Sequence, residues 1–219
     1  MWYKVKRIMM RQNWEEKQVR PAIFKKSIDL RGKTLAQVQA EWFGITSWNG
    51  SYTLDSNWLH TASSSNNAVQ LYYHLPSTLT SSNKLQLKQT WYTNRVETTY
   101  AGEWRMHFYN TYGNYPVQWI SWWYDTWSAW FWTWIMVASS LKGAWPKTTW
   151  WDFSMTLDID FSTWKIDFVL TWAMSFTSTY TLTSTELSNA LTYNYIQYNA
   201  MIYNSSWVSR IYTAEFTIK

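Results

Sequence analysis

Cysteine is absent from the 219 residues, which excludes a disulfide framework, thiolate zinc sites and thiol catalysis. Glycine is scarce at 6 residues, where average usage of about 7% predicts roughly 15. The 3 histidines, His60, His74 and His107, stand apart, with no HxH or HExxH spacing, so no zinc site is expected. No GxSxG elbow and no phosphate-cradling glycine loop occurs. Only 15% of residues are charged. A run long and apolar enough to span a membrane is also missing. Thr126 to Leu141 is uncharged but only 16 residues long, rich in Trp, Ser and Thr, and a span needs about 20. The basic start is followed by just Ile8-Met9-Met10, far short of a signal-peptide core. No signal peptide and no membrane span are therefore expected.

Aromatic residues, by contrast, reach 21%, with 20 Trp and 16 Tyr, and apolar residues make up 47%. Such a chain has ample material for a buried core. Its charge is lopsided. Residues 1–35 hold ten Lys/Arg and three acids, 10 − 3 = +7, while residues 36–219 hold nine and eleven, 9 − 11 = −2. A basic arm suits nucleic acid or an acidic protein surface; a solvated, protected edge strand carries the same charges. No nucleic-acid partner is expected of the near-neutral body.

Residues 3–20 read as a hairpin with its turn at Gln12 to Glu15, and 21–27 as a linker. Thr34 suits the N-cap of a short helix with Leu35, Val38 and Trp42 on one face. Beyond residue 45 the pattern is strand and turn. Tyr52–Leu54, Val69–Leu75, Leu85–Thr90, Trp104–Tyr109, Pro116–Trp123, Tyr193–Tyr203 and Val208–Ile218 are expected strands, separated by Ser/Thr/Asn clusters. Thr183-Ser184-Thr185-Glu186 is a capping box opening a helical turn through Leu191. In Phe153–Phe161 and Lys165–Thr171, apolar and polar residues alternate. Facing Phe161 with Ile166 sets Ile159 against Phe168 and Leu157 against Leu170, and Asp160 against Asp167. Many short strands with little helix predict an all-β, antiparallel two-sheet sandwich. Residues 1–27 form a basic hairpin and linker in this scheme, 28–219 the sandwich, and the last strand pairs near the domain's start.

Several tryptophans occupy positions that suit glycine. Trp164 lies in the turn between two alternating strands, where positive φ is needed. Trp14 follows Asn13 where Asn-Gly would mark a hairpin, and Trp130, Trp132 and Trp134 alternate along one strand. If the UGA codon means glycine in the source and was read as tryptophan, 20 + 6 = 26 Trp and Gly positions make a reasonable pool for a turn-rich β protein. A truly Trp-rich binding protein is the other reading.

The segments IDLRGKTLAQVQAEWFG, SYTLDSNWLH, LDIDFSTWKIDFVLTW and YTLTSTELSNALTYNYIQY together resemble a concanavalin A-like, laminin-G-type jelly roll over residues 28–219. The leader YKVKRIMMRQNWEEKQVRP resembles those ahead of such domains in phage and uncultured-bacterium proteins. The resemblance implies a non-catalytic module of a phage tail, virion or surface protein that recognises glycan on a host cell surface, often with bound calcium. It implies a virion or extracellular location, with the N-terminal hairpin joining a larger assembly. A purely structural virion protein is the alternative, and a carbohydrate-active enzyme a lesser one. Trp104, Tyr109, Tyr112, Asn114 and Tyr115 are the expected ligand-binding residues, as flat rings beside amides on one strand and turn; packing of the sandwich core is the alternative use of those rings. Asp160 and Asp167, expected to face each other, are the candidate metal ligands; Lys165 or solvent would relieve their repulsion equally well.

Overall fold

The computed structural model describes residues 23–41, 43–48, 52–54, 59–61, 67–93, 102–110, 119–125, 132–137, 140–146, 152–172, 176–202 and 209–219. The elements run β1 (Phe24–Asp29), α1 (Leu35–Ala40), β2 (Gly44–Trp48), β3 (Tyr52–Leu54), β4 (Leu59–Thr61), β5 (Asn67–His74), β6 (Lys84–Thr93), β7 (Gly102–Tyr109) and β8 (Trp119–Asp125). They continue as β9 (Trp132–Val137), β10 (Ser140–Pro146), β11 (Asp152–Asp160), β12 (Lys165–Trp172), β13 (Phe176–Thr181), α2 (Ser184–Ala190), β14 (Tyr195–Ile202) and β15 (Ser209–Ile218).

Two antiparallel sheets result. One has the order β13-β12-β11-β6-β15-β4-β3, with β1 also on β15; the other runs β10-β9-β8-β7-β14-β5-β2. Their facing sides form the core. Leu85, Leu87 and Trp91 of β6, Met155, Leu157 and Ile159 of β11, and Ile166, Phe168 and Leu170 of β12 are buried from one sheet. Val69 and Leu71 of β5, Met106 and Phe108 of β7, and Ile196, Tyr198 and Ala200 of β14 are buried from the other. Each full burial of a large apolar side chain contributes about 1.5–3 kcal/mol. The Tyr198 hydroxyl donates to Glu215 O at 2.5 Å, so the one polar tip in this row is satisfied across the layers.

The expected pairing of the last strand with the domain's start is present: Ala214 faces Ile28 and Ile218 faces Phe24. That pairing also corrects the linker assigned to 21–27, because the sandwich begins at Phe24. Phe24, Lys26 and Ile28 share the inward side of β1, and the lysine between them breaks the apolar alternation. α1 has the Thr34 cap, with Gln37 completing the box. Only Val38 of this six-residue helix is buried, and Leu35 is 41% exposed, because less than two turns present a single residue to the core. Thr183 and Glu186 form the second capping box, as expected. The hairpin at 3–20, Trp14 and Trp130 lie outside the described residues, as does Trp42.

The β11–β12 hairpin keeps the expected faces but not the expected register. Ile159 pairs with Ile166, Leu157 with Phe168 and Met155 with Leu170, a shift of two residues. Both registers set apolar against apolar. The turn decides between them: Asp160 Oδ1 accepts from the Ser162 and Thr163 amides at 3.0 and 3.3 Å, which fixes a four-residue turn at 161–164. Its last residue, Trp164, has φ 62°. An L residue in this region costs about 1–2 kcal/mol.

Candidate functional site

Strand alternation puts three rows of polar and aromatic residues on the outer side of the seven-stranded sheet. In β14, Ile196, Tyr198 and Ala200 point into the core, which turns Tyr195, Gln197 and Asn199 outward. Each outward residue sits between partners from β7 and β5. Tyr195 lies between Tyr109 and His74, Gln197 between His107 and Tyr72, and Asn199 between Arg105 and Gln70.

The first row is a ring stack. Tyr109 and Tyr195 centroids are 5.6 Å apart at 23°, and Tyr195 and His74 are 4.4 Å apart at 13°. The rings face one another, so the row presents hydroxyls and an imidazole edge. Asn194 Nδ2 lies 2.9 Å from His74 Nε2, and the Asn194 amide donates to Tyr109 O at 3.0 Å, tying both ends of the stack to one residue. In the second row, His107 is 7% exposed. Burial, and secondarily the Arg105 charge, push its pKa well below the usual histidine value, so the ring is neutral at pH 7. Tyr72 lies over Gly44, where an added Cβ would meet the ring at 2.1 Å, so a side chain there would displace the end of the Tyr72 ring. In the third row, Asn199 is 6% exposed and its Oδ1 has no hydrogen-bond partner among the described residues. Asn194 Oδ1 is likewise buried and unpartnered. A buried acceptor left unpaired costs about 1–3 kcal/mol, a cost that a hydroxyl donor from outside would remove.

Of the expected ligand-binding residues, Tyr109 belongs to this face and is 3% exposed. Trp104 occupies the β7 position opposite Ala200 and Tyr124. Tyr112, Asn114 and Tyr115 lie outside the described residues. The rows from β14 and β5 were not expected as a site. Their signal is present in Tyr195, Gln197 and Asn199, and in Gln70, Tyr72 and His74, but it gains meaning only once those distant strands pair.

Asp160 and Asp167 do not face each other. Asp160 pairs with Lys165, and Asp167 pairs with Asp158. Although burial pushes its pKa up, Asp160 is held well below the usual carboxylate range by the Lys84 ammonium, 2.5 Å away, and by donors from Ser162 and Thr163. Calcium takes six to eight oxygens. Among the described residues no three carboxylate or imidazole side chains gather as a metal site, so these residues do not fit that ion.

No family model matches the chain, and no curated protein matches it by sequence. Solved structures do match in three dimensions. The lectin from Bauhinia forficata, in complex with GalNAc, aligns at TM-score 0.66 and 9% identity, covering 90% of this chain and 99% of its own. The fold is a concanavalin A-like jelly roll. Peanut lectin aligns at TM-score 0.66 and 10% identity over 90% of this jelly roll and 98% of its own chain. A protein of unknown function from Shewanella oneidensis MR-1 aligns at TM-score 0.56 and 12% identity, covering 90% and 87%.

Proposed function

We propose that this jelly roll is a non-catalytic glycan-binding module, with its site on the outer side of the seven-stranded sheet. The observation that carries this reading is the run of Tyr195, His74, Gln197 and Tyr72 along one outer face, flanked by the amide oxygens of Asn194 and Asn199, which have no hydrogen-bond partner among the described residues. Sugars offer many hydroxyl donors and acceptors at fixed spacing, and such a surface answers both. The lectins that share the fold, one of them solved with GalNAc and another with galactose, support the ligand class. Of the residues expected to bind ligand, Tyr109 belongs to this proposed site; Trp104 holds the alternate register position of β7, opposite core-facing Ala200, which corrects the expectation for it. A glycan array probed with the full chain and with Gln197→Ala tests the idea. Binding to one glycan class that falls at least about tenfold in the variant is expected; an array without saturable binding overturns it.

The setting we propose is a phage tail, virion or other extracellular surface, with the residues before Phe24 as the attachment to a larger assembly. Its support is the charge of residues 1–23, six Lys/Arg against two acids, 6 − 2 = +4, beside a near-neutral body. UGA recoding belongs to this proposal. Its support is Trp164, whose φ of 62° is a backbone state that glycine adopts freely. The coding DNA tests it: UGA is expected at codons 14, 130, 132, 134 and 164, and UGG there ends the idea.

A further inference from the structure

The outer side of the eight-stranded sheet holds a partly open cavity of about 220 Å³, separate from the site above. Across β12, β11, β6 and β15 its lining includes Asp167, Asp158, Gln86 and Thr217, with Lys84, Asp160 and Lys219 one row further along. Lys84 and Asp160 satisfy each other at 2.5 Å. What remains is an unbalanced arrangement. Asp158 and Asp167 are direct cross-strand partners, a placement that is unfavourable for like charges. Each carboxylate has one oxygen engaged: Gln86 Nε2 donates to Asp158 Oδ1 at 2.7 Å, and Thr179 Oγ1 donates to Asp167 Oδ1 at 2.6 Å. The second oxygen of each has no partner among the described residues. Thr217 is an independent sign of a ligand. It is 6% exposed, lines the cavity, and its hydroxyl makes no hydrogen bond to the described residues. At the far wall, Lys219 has no carboxylate partner among them.

We propose that this cavity binds an amino sugar: a hydroxylated ring whose primary ammonium sits between Asp158 and Asp167. The ammonium would replace a repulsive pair with two charge-assisted hydrogen bonds, each worth about 1.5–3 kcal/mol. Ring hydroxyls would pair with Thr217 and accept from Lys219. The volume suits one sugar ring. A divalent cation does not suit it, because two carboxylates fall short of a calcium shell and Lys219 opposes a second positive charge nearby. N-Acetylation removes the ammonium's charge, so the cavity distinguishes a free amine from its acetylated form.

The test is calorimetric titration of the full chain at pH 6.5 with glucosamine, N-acetylglucosamine, glucose and calcium chloride in turn. Glucosamine is expected to bind, with glucose and N-acetylglucosamine at least about tenfold weaker. Asp158→Asn and Asp167→Asn are each expected to weaken glucosamine at least about tenfold, and Thr217→Val by a smaller factor. Glucosamine shifts of the Thr217 and Asp158 amides in NMR report the same contact without relying on any variant. The proposal is overturned by equal affinity for glucosamine and glucose, by calcium competing glucosamine away, or by shifts confined to the Tyr195 and Gln197 face. Failure of the glycan-array experiment leaves this outcome untouched, since the two sites lie on different sheets.

Discussion

The two sheets turn different surfaces outward. On the eight-stranded sheet Lys88, Lys165, Asp167, Thr177 and Thr179 are exposed, and charges are neutralised locally, as by Lys25 and Glu215 at 2.8 Å. On the seven-stranded sheet the outward residues include Tyr109, Asn199, His107 and Ala68, at 3, 6, 7 and 2% exposure. An antiparallel sheet with one wetted side normally alternates apolar and polar residues cleanly. The eight-stranded sheet follows that rule in β11, and in β6 except at Gln89, a core-facing amide at 0% exposure. The seven-stranded sheet departs from it by placing rings and amides where solvent-facing residues belong, and by withdrawing them from water. The first outer face is organised for solvation with one local imbalance at Asp158 and Asp167; the second is organised around contacts.

The largest expected effect comes from cutting the link between the two sheets. Glu186 opens α2 and is 7% exposed. Its carboxylate takes Lys142 of β10 at 2.7 Å and the Tyr180 hydroxyl of β13 at 2.9 Å, so it joins the outer strands of both sheets. Glu186→Ala is expected to lower unfolding stability by about 2 kcal/mol, because the partly buried Lys142 ammonium, the Tyr180 hydroxyl and the Thr183 amide lose their common acceptor. Urea denaturation measures this, and a change under about 1 kcal/mol would show that the sheets hold together without it.

Acid should then separate the sheets by pH window. His107 has a depressed pKa in the fold, so the unfolded chain binds its proton first. Stability is expected to decline as pH falls below the ordinary histidine value of 6.5. Glu186 is also depressed: burial raises it, but Lys142, Thr183 and Tyr180 lower it further. Its contribution is complete above its ordinary value of 4.5 and is lost as pH falls through the folded value. His107→Gln should therefore flatten the stability profile between pH 6.5 and 5 and leave the lower limb intact. A profile unchanged in the variant would mean that burial does not keep His107 neutral.

A smaller change separates binding from folding. Tyr195→Ser removes the centre of the ring stack and should weaken glycan binding about tenfold. Thr177→Ala, on the exposed face of the other sheet, should leave binding unchanged and stability within about 0.5 kcal/mol. Equal losses from the two substitutions would erase the functional contrast between the faces. The mildest expected effect is a gain: Trp164→Gly should stabilise the hairpin by about 1 kcal/mol, read as a higher melting temperature. A loss of stability would show that the exposed ring contributes more than its backbone strain costs.

Much of the scaffold was legible in the residues. β3 matches its expected bounds, the Thr183 capping box forms as expected, and Thr34 caps its helix as expected, with Gln37 adding a box the sequence reading did not include. The hairpin faces followed from Phe153, Met155, Leu157 and Ile159, yet the register did not, because a two-residue slip preserves apolar pairing. It took the side chain of Asp160, folding back on its own turn, to choose. β1 was hidden because Lys26 points inward at the end of the sheet, a device that protects strand edges and obscures the pattern. The site was hidden for another reason. Tyr195 and His74 are far apart in sequence, and only the pairing of β14 with β5 reveals a stack.

The pairing of β1 with β15 has a mechanical consequence. Phe24 and Ile218 sit side by side at one corner, so a tension applied between those two ends peels the strands apart one hydrogen bond after another, at low force. A pull from Phe24 resisted by a ligand held on the seven-stranded sheet acts differently. Part of that load runs along β1 and must slide it past β15, straining the six paired positions from Phe24↔Ile218 to Asp29↔Thr213 together. The same seam is therefore weak when unzipped and strong when sheared. Anchoring through the segment before Phe24 and gripping a surface with the sheet would load it in the stronger direction.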